Sequence, residues 1–468
     1  MIGQFRLSEI AAPLAGSLSA DDAVFSSVSI DTRTLRPGDL YVAIKGEQFD
    51  GHRFLTDAED SGAVAAIVSQ RSECSMPQLE VADTRLALGQ LGALNRARFN
   101  GKILAITGSS GKTSVKEMAA AILSVDHQVH ATAGNFNNDI GVPLTLLAMT
   151  DAQNASVCEL GASAVGEIAY TTALVDPDVS ILTNAGEAHV EGFGSVENIV
   201  VGKGEIIAGL GDQGTAIINA DDSNAEYWET LAGARKVVKF GLDAASGADV
   251  YAAQRHEHAS GCFSFTLTSP WGNVEVTLPQ LGIHSVSNAL AAAAGTLSMG
   301  ATLDAVKAGL EAAGSVAGRL VNRSGTNGCQ VIDDTYNANP SSVRAAIDVL
   351  AKQDGERWLV VGDMAELGDD SQWHHDDVVQ YAFQQGIDQV WGVGPYFTNA
   401  IREHGNSALA FGQQADLIAQ LMASLKAELK PELKPELKPD VTLLIKGSRS
   451  AHMEDVVTAI IEGNNNAL

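Results

Sequence analysis

The amino-acid sequence predicts an α/β protein divided into three domains. The chain has 468 residues, which is more than one hydrophobic core usually supports. Apolar strand candidates alternate with helical patterns over two long stretches, and this alternation is typical of mostly parallel sheets covered by helices on both faces. We therefore predict domains at residues 1–84, 85–312 and 313–468.

The strand candidates differ between the three domains. The first domain has short strands separated by glycine and aspartate, which predicts a small mixed α/β fold, at residues 28–30, 40–44 and 65–68. The central domain alternates strand and helix, with strands predicted at residues 103–106, 156–160, 179–182, 216–218 and 236–240. The third repeats this pattern, so we predict a Rossmann-like sheet with strands at residues 331–332, 358–361, 389–393 and 442–445.

The first central strand leads into a glycine-rich loop that is followed by a helix. The loop ends in Gly111, Lys112 and Thr113, as a phosphate-binding P-loop does, but Ile106 stands where the standard motif has its first glycine. The loop is therefore a shortened one, with Gly108 as its only other glycine. Apolar residues at positions 115, 118, 119 and 122 indicate the helix. Because N–H groups at a helix start bind polyphosphate, we predict ATP as the ligand of a P-loop-type central domain.

Phosphoryl transfer also requires a metal ion and residues that bind it. In a P-loop, Lys112 would reach the outer phosphates and the Thr113 hydroxyl would ligate Mg²⁺. Whether the Ser114 hydroxyl also ligates this ion stays open. Further ligands are expected at the carboxyl ends of neighbouring strands. The candidates there are Glu159, His189 and Lys203. Taken alone, a residue of each of these types is more often an ordinary cap, loop or surface residue than a metal ligand.

Composition excludes several classes of partner. The chain carries 30 basic and 57 acidic residues, a net charge of −27, which is opposite to that of proteins that bind nucleic acid or anionic lipid. A phosphorylated ligand must then be held by local groups and by Mg²⁺.

The four cysteines form no C-x-x-C pair, the N-terminus has no leader pattern, and no apolar run reaches the roughly 18 residues of a membrane span. We expect a cytoplasmic protein without membrane insertion.

Three other features are interpreted as structural. Residues 289–299 are rich in alanine and predict a buried helix. Residues 429–439 have a proline at every fourth position, which forbids a continuous helix and predicts an exposed excursion without a catalytic role. Residues 340–342 are Pro-Ser-Ser and predict a helix start with a hydroxyl cap.

Six motifs, taken in order, resemble the Mur ligase family, and the likeness runs through all three predicted domains. They lie at residues 107–113, 159–163, 184–189, 202–205, 284–290 and 333–340. The short Thr-Gly-x-x-Gly-Lys-Thr loop is the form that this family has. The resemblance implies an ATP-dependent ligase that forms an amide bond through an acyl phosphate. No protein nucleophile is then needed, so Cys158 is interpreted as a core residue.

Other segments distinguish among the family's activities. Residues 135–143, 362–368 and 446–449 are similar to those of the member that adds a dipeptide, and the Asp-Asn-Pro-Arg motif of diaminopimelate-adding ligases is absent. Residues 29–33 and 45–52 look like segments that bind a uridine diphosphate. The resemblance thus implies that the protein joins D-alanyl-D-alanine to UDP-N-acetylmuramoyl-tripeptide in peptidoglycan precursor synthesis. We expect a monomer, although nothing in the sequence determines the oligomeric state. The three domains would bind the UDP precursor, bind ATP, and complete the ATP and dipeptide sites by closure.

The resemblance also implies roles for individual residues. Lys112, Lys203 and His189 would be catalytic, with Lys203 carbamylated. The metal ligands, for two Mg²⁺ ions, would be Thr113, Glu159, His189 and Lys203. ATP would be bound by Gly108, Ser109, Ser110, Gly111, Lys112, Thr113, Ser114, His284, Asn288, Arg319, Asp334 and Asn337. The other two substrates would be bound by Asp31, Thr32, Arg33, Lys45, Gly46, Asn137, Asn138, Lys446 and Ser448.

Three alternative functions stay open at this point. A ligase of the same family could add a single amino acid, and a panel of amine acceptors would distinguish it. A small-molecule kinase with the same loop would release a stable phosphorylated product. A nucleotide-binding module would bind ATP without turnover that depends on an amine. The last two do not account for the uridine-type segments together with the motifs at residues 284–290 and 333–340.

Overall fold

The protein folds into three principal sheets. The computed structural model describes residues 1–19, 22–46, 49–187, 189–402, 407–428 and 441–462. Within these residues the sheets have five, nine and six strands, and each lies inside one predicted domain range. The α/β class with mostly parallel sheets is confirmed. The boundary at residue 84 falls on the first residue of a helix, and the boundary at residue 312 falls on the last residue of another. Both boundaries stay predictions, and the repeat at 429–439 lies outside the described residues.

The N-terminal block has short strands and helices. Its elements are β1 (Phe5–Arg6), α1 (Leu7–Ala11), β2 (Ser17–Leu18), β3 (Val24–Phe25), β4 (Val28–Ser29), β5 (Leu40–Val42), α2 (Leu55–Asp60), β6 (Ala65–Val68), β7 (Gln78–Glu80) and α3 (Thr84–Ala97). The sheet has the order β2-β7-β6-β5-β4, in which β4 to β7 are parallel and β2 is antiparallel. β1 and β3 form a separate antiparallel pair. The carboxyl ends of β4, β5 and β6 therefore share one edge.

The central block carries the largest sheet. Its elements are β8 (Lys102–Thr107), α4 (Lys112–Leu123), β9 (Val129–Ala131), α5 (Gly141–Ala148), β10 (Ala155–Glu159), α6 (Glu167–Val175), β11 (Val179–Leu182), α7 (Val190–Phe193), α8 (Val196–Ala208), β12 (Thr215–Asn219), α9 (Ala225–Ala232), β13 (Lys236–Gly241), β14 (Val250–Glu257), β15 (Cys262–Ser269), β16 (Gly272–Leu281), α10 (Ile283–Met299) and α11 (Leu303–Ala312). The strand order is β16-β15-β14-β13-β12-β11-β8-β10-β9. Because β8 lies between β10 and β11, its carboxyl end is a topological switch point, where ligands of open α/β sheets bind.

Helices cover both faces of the central sheet. On one face α4, α10 and α11 form a core with the strands, in which Met118, Ile122 and Leu290 are buried. On the other face α5, α6, α8 and α9 form a second core around Trp228. The inner strands β8 and β11 are buried apolar runs, apart from the exposed Lys102 that begins β8, as expected of a parallel sheet covered twice. The predicted burial of residues 289–299 is confirmed, apart from the half-buried Ser298.

The C-terminal block is a second doubly covered sheet. Its elements are β17 (Val321–Ser324), β18 (Gln330–Asp334), α12 (Pro340–Leu350), β19 (Glu356–Gly362), α13 (Ser371–Gln384), β20 (Gln389–Val393), α14 (Pro395–Ile401), β21 (Ala408–Phe411), α15 (Gln414–Glu428), β22 (Val441–Lys446) and α16 (Glu454–Glu462). The order is β17-β18-β22-β19-β20-β21, and only β17 is antiparallel. The carboxyl ends of β18, β19 and β22 bring Asp334, Gly362 and Lys446 to one edge.

Two features differ from the sequence predictions. The helix that begins at Pro340 is capped by the side chain of Asn339, which accepts a hydrogen bond from the Ser342 N–H at 2.9 Å. The predicted hydroxyl cap is therefore wrong, although the Ser342 hydroxyl does accept a bond from the Asn339 N–H in return. The long strands β14 to β16, of which β14 is parallel to β13 while β15 is antiparallel to both of its neighbours, were not among the predicted strands. The shorter strands β1, β2, β3, β7, β9, β17 and β21 were not predicted either. None of the described helices has the length and apolar character that crossing a bilayer requires.

Candidate active site

The shortened loop lies at the carboxyl end of β8 and is fixed by the loop after β11. The N–H of Ser109 donates to the Asn184 carbonyl at 3.0 Å, and the N–H of Ser110 donates to the Asn184 side chain at 2.9 Å. Gly111 has a φ of +84°, and a Cβ there would lie 2.5 Å from Asn288 Oδ1, so this position requires glycine. Within the described residues no side chain caps the start of α4. Its first N–H groups are therefore left for a ligand.

Lys112, the predicted phosphate-binding lysine, folds over this loop. Its Nζ donates to the Gly108 carbonyl at 2.7 Å and lies 3.4 Å from the Ser109 carbonyl. Burial lowers the pKa of Lys112, the nearby Glu159 carboxylate raises it, and the Arg319 guanidinium lowers it again. The ammonium is thus held by carbonyl dipoles at the place where the loop would meet phosphates.

Thr113 and Glu159 form the pair that could hold a metal ion. The Thr113 hydroxyl lies 3.3 Å from Glu159 Oε1, which also accepts a bond from Asn137 Nδ2 at 2.9 Å. Both Thr113 and Glu159 are buried. Glu159 Oε2 has no hydrogen-bond partner in the described part of the chain. An unpaired buried carboxylate oxygen beside a hydroxyl is a donor set that fits Mg²⁺.

Lys203 lies beneath the cavity on α8 and is only 1% exposed. Its Nζ is 3.3 Å from the Ala162 carbonyl and 5.1 Å from the centre of the Phe193 ring. Burial, and then the charge of Lys112, lower the pKa of Lys203 to about 7. A substantial fraction of this amine is therefore neutral at physiological pH, and only a neutral amine can react with CO₂.

His189 immediately precedes α7 and contacts the C-terminal block. Its Nδ1 is in contact with a carboxylate oxygen of Glu366, in the loop after β19, and this contact lowers the pKa of Glu366. The Glu366 carbonyl accepts the Glu191 N–H at 3.2 Å. His189 and Glu366 both have positive φ, 61° and 63°, which is uncommon for residues other than glycine. With Nδ1 engaged, Nε2 is the nitrogen left for a metal.

The residues predicted for the nucleoside, and Lys446, which was predicted to bind the other substrates, come from two blocks that meet here. Lys446 Nζ contacts Asp334 Oδ2 at 2.5 Å and donates to the Asn337 carbonyl at 2.9 Å. Burial is the main cause that lowers the pKa of Lys446 and of His284. The Asp334 carboxylate raises the pKa of His284, and the Lys446 ammonium lowers it. Arg319 stacks over a tyrosine ring with its guanidinium carbon 4.3 Å from the ring centre, and its Nε is buried without a partner among the described residues.

A direct hydrogen bond joins the phosphate loop to the C-terminal block. Asn339 Nδ2 donates to Ser110 Oγ at 3.2 Å. Asn339, Tyr336 under the Arg319 guanidinium, and Glu366 beside His189 were not predicted as site residues. All three stand inside motifs that carry the family resemblance, at 333–340 and 362–368, and that position was the available signal.

One cavity of about 1230 Å³ joins most of the predicted residues. Those that line it are Ser109, Ser110, Gly111, Lys112, Thr113, Ser114, Asn137, Asn138, Glu159, His189, His284, Asn288, Arg319, Asp334, Asn337, Lys446 and Ser448. Gly108 and Lys203 are not in its lining. No group of three or more His, Cys, Asp or Glu side chains in the described ranges forms a ready metal cage. A metal here would need phosphate oxygens or a modified lysine to complete its ligands.

The other predicted substrate residues lie elsewhere. Asp31, Thr32, Arg33, Lys45 and Gly46 follow β4 and β5 at the carboxyl edge of the N-terminal sheet and are not in the cavity lining. Arg33 Nη2 is 2.6 Å from Asp31 Oδ2, and its hydrogen bonds lower the pKa of Asp31 to about 2. The Gly46 N–H donates to the Phe49 carbonyl at 2.8 Å. These five residues are therefore separate from the cavity, and their role in binding substrate stays a prediction.

Cys158, which the sequence places next to Glu159, is fully buried in β10. Burial raises the pKa of its thiol to about 11. The interpretation of Cys158 as a core residue is confirmed.

Comparison with known families gives matches along most of the chain. The Mur ligase middle domain matches residues 106–296, the Mur ligase glutamate ligase domain matches residues 318–449, and the Mur ligase family catalytic domain matches residues 24–96.

Whole-length relatives agree with these matches. The UDP-N-acetylmuramoyl-tripeptide–D-alanyl-D-alanine ligase of Escherichia coli (strain K12) is 46% identical over 456 residues, which are 97% of this chain and 98% of the relative. The ligase of the same name from Haemophilus influenzae is 43% identical over 97% of both chains. A crystal structure of MurF from Acinetobacter baumannii has a TM-score of 0.91 at 35% identity, covering 98% of this chain and 99% of that one. MurF ligase from Thermotoga maritima in complex with ADP has a TM-score of 0.82 at 27% identity, covering 94% and 98%.

Proposed function

The chain belongs to the Mur ligase family, and we infer from this that it is an ATP-dependent ligase that joins D-alanyl-D-alanine to UDP-N-acetylmuramoyl-tripeptide. The observation that carries the choice of substrates is the match at 46% identity over nearly the whole of a relative with that name. The geometry agrees, since one cavity joins a phosphate loop to the carboxyl edge of a second sheet. The reaction produces ADP and phosphate and serves peptidoglycan precursor synthesis.

The reaction has two steps. A carboxylate oxygen of the tripeptide attacks the γ-phosphorus of ATP, the bond to the bridging oxygen breaks, and ADP leaves an acyl phosphate. The neutral amine of D-alanyl-D-alanine then attacks the acyl carbon, the bond to the phosphate oxygen breaks, and the amine loses a proton. Water must stay out of the site between the two steps, because it would hydrolyse the acyl phosphate.

The first step depends on how the loop and its neighbours hold ATP. We assign the phosphates to the first N–H groups of α4 and to Lys112 Nζ, which exchanges its loop carbonyls for phosphate oxygens. We assign the nucleoside to the region of His284, Asn288 and Arg319. The buried Arg319 Nε without a partner supports a polar contact there.

Mg²⁺ is the metal that this family uses, and when bound it neutralises charge on the transferring phosphoryl oxygens. Thr113 and Glu159 would hold one ion, and the unpaired Glu159 oxygen supports this. We propose that a second ion is held by His189 and a carbamate of Lys203. The burial and lowered pKa of Lys203 support the carbamate, because they leave its amine partly neutral.

The domains divide the substrates between them. We propose that the edge of the N-terminal sheet, at Asp31, Arg33 and Gly46, holds the uridine diphosphate. The tripeptide would then extend past Asn137 and Asn138 to the cavity, where Lys446 and Ser448 face the dipeptide. The cytoplasm is the compartment we propose, since all four cysteines are free and such thiols suit a reducing environment. The monomeric state stays a prediction.

The test of this function is phosphate release with UDP-N-acetylmuramoyl-tripeptide and a panel of amines. We expect release with D-alanyl-D-alanine and only background release with free amino acids, and Lys112→Ala should abolish it. Equal release with a single amino acid would instead establish the single-residue ligase. A stable phosphorylated product formed without any amine would establish a kinase.

A further inference from the structure

Five cationic side chains of the described residues line the cavity. They are Lys112, Lys116, Arg319, Lys446 and Arg449. The proposed reaction brings several anions to this cavity, namely the triphosphate, the reacting carboxylate and the terminal carboxylate of D-alanyl-D-alanine. The cation that binds this last group has not been assigned, so we compare the partners of the five.

Two of the five are engaged by the phosphate loop and its helix. Lys112 donates to loop carbonyls and is placed to exchange them for phosphates. Lys116 is only 2% exposed, and its Nζ lies 2.8 Å from both the Thr132 carbonyl and a Glu117 carboxylate oxygen. Lys116 therefore has its own anion.

Two others are engaged by residues of the C-terminal block. The Arg319 guanidinium stacks on the Tyr336 ring. Lys446 is 1% exposed and is held between Asp334 Oδ2 and the Asn337 carbonyl. Neither can turn towards a new carboxylate without giving up a buried contact, which is costly for a charged group.

Arg449 is different, because its side chain is 66% exposed at the mouth of the cavity. Its Nη1 lies 3.0 Å from Glu454 Oε1, which also faces His452 Nδ1 at 3.7 Å. A guanidinium has five N–H donors, so one contact leaves most of them for a ligand. Exposure also means that little desolvation opposes a new partner.

The backbone beneath Arg449 is nevertheless fixed. The residue before it, Ser448, is 3% exposed and donates its hydroxyl to the Asp363 carbonyl at 2.6 Å, while its N–H points to the same carbonyl at 3.2 Å. Ser448 thus anchors the turn Arg449–Ala451 to the end of β19. An open guanidinium on an anchored turn is suited to bind a planar carboxylate through two hydrogen bonds.

We propose that Arg449 binds the terminal carboxylate of D-alanyl-D-alanine and so makes the enzyme specific for a dipeptide. The proposal rests on the function proposed above. Arg449 is three residues beyond Lys446, a span of at most about 10 Å, and an extended dipeptide covers about 7 Å. A dipeptide held at Arg449 can therefore direct its amine inwards. A single amino acid is one residue shorter and cannot engage Arg449 while its amine reaches the acyl carbon.

The test compares D-alanyl-D-alanine with its C-terminal amide, which keeps the shape and loses the charge. The wild-type enzyme should prefer the acid by about tenfold or more in kcat/KM, the size expected for a hydrogen bond to a charged group. In Arg449→Ala this preference should fall to near one, because KM for the acid rises while KM for ATP and for the UDP-tripeptide stay unchanged. Arg449→Lys should lie between the two.

A matched control and a ratio keep the experiment decisive. Arg402→Ala removes an exposed arginine of the same block that is not in the cavity lining and should keep the wild-type preference. The ratio of acid to amide is measured within one preparation, so a partly unfolded variant still reports it. A wild-type enzyme that uses the amide as well as the acid would overturn the proposal, as would an Arg449→Ala variant that keeps the preference.

Two other outcomes would contradict either the role of Arg449 or the proposed function. A rise in KM for ATP or for the UDP-tripeptide alone would mean that Arg449 serves a different anion. Failure of the proposed function looks different, because the wild-type enzyme would then release no phosphate with D-alanyl-D-alanine at all.

Discussion

Replacing Lys203 with alanine tests the proposed carbamate most directly. Lys203 is buried beneath the cavity, and burial with the charge of Lys112 lowers its pKa from 10.5 to about 7. At pH 7 about half of such an amine is neutral, against about 3 × 10⁻⁴ of an ordinary lysine, so the reactive form is enriched roughly 1500-fold. We expect Lys203→Ala to lose most turnover, because alanine cannot form the carbamate.

Two measurements should follow this loss. Short carboxylic acids such as acetate should restore part of the phosphate release by Lys203→Ala, because they supply the missing carboxylate oxygens. Wild-type protein equilibrated with ¹³C-labelled bicarbonate should show a carbamate signal in its NMR spectrum, and the variant should lack that signal. Turnover that is unchanged in the variant would remove Lys203 from the mechanism.

The pH dependence of reactivation separates this explanation from a general structural role. The neutral amine attacks CO₂, and it predominates above the pKa. When enzyme depleted of CO₂ is returned to a fixed CO₂ concentration, its reactivation rate should rise about tenfold per pH unit below pH 7 and level off above it. A rate that keeps rising to pH 9 would mean that the amine has an ordinary pKa, and the argument from burial would be wrong.

Two further predictions concern the loop and the nucleoside side. Arg319→Ala removes the guanidinium stacked on Tyr336, and KM for ATP should rise about 10- to 100-fold while binding of the UDP precursor, measured by calorimetry, stays intact. Loss of precursor binding would show that Arg319 serves the other substrate. Gly111→Ala places a methyl group 2.5 Å from Asn288 Oδ1 at a φ of +84°, so ATP binding should weaken at least about tenfold. Gly300→Ala is the control, since Gly300 is also left-handed, with a φ of +109°, but no atom lies within 4 Å of the added Cβ; equal effects of the two on ATP binding would contradict the steric argument.

The parts of the fold that depend on residues close together in the sequence could be predicted from the sequence. The strand before the phosphate loop and the helix after it follow from an apolar run, a glycine turn and a helical repeat within about 20 positions. The alternation of strands and helices likewise predicted the parallel sheets. The strands β14 to β16 were missed because their burial alternates and their outer faces are polar, so they lack the continuous apolar runs of the buried strands.

Contacts between distant segments could not be predicted in this way. Asn339 and Ser110 are 229 positions apart, and no local pattern indicates that they form a hydrogen bond. The same holds for His189 and Glu366, whose contact joins two sheets. The family resemblance named His189 as a site residue but gave no reason for its orientation, which the contact with Glu366 supplies.

The contacts between blocks also explain how a chain with a net charge of −27 can attract a triphosphate. Lys112 belongs to the central block, whereas Arg319 and Lys446 belong to the C-terminal block, and the three meet at one cavity. Burial is the main cause that lowers the pKa of both lysines, and the Arg319 guanidinium lowers both pKa values further, whereas Glu159 raises the pKa of Lys112 and Asp334 raises that of Lys446. A bound triphosphate would attract both Lys112 and Arg319, while Lys446 keeps its contact with Asp334. Binding of ATP should therefore favour the arrangement in which the two blocks are in contact, and that arrangement also brings Asn339 to the loop and Glu366 to His189.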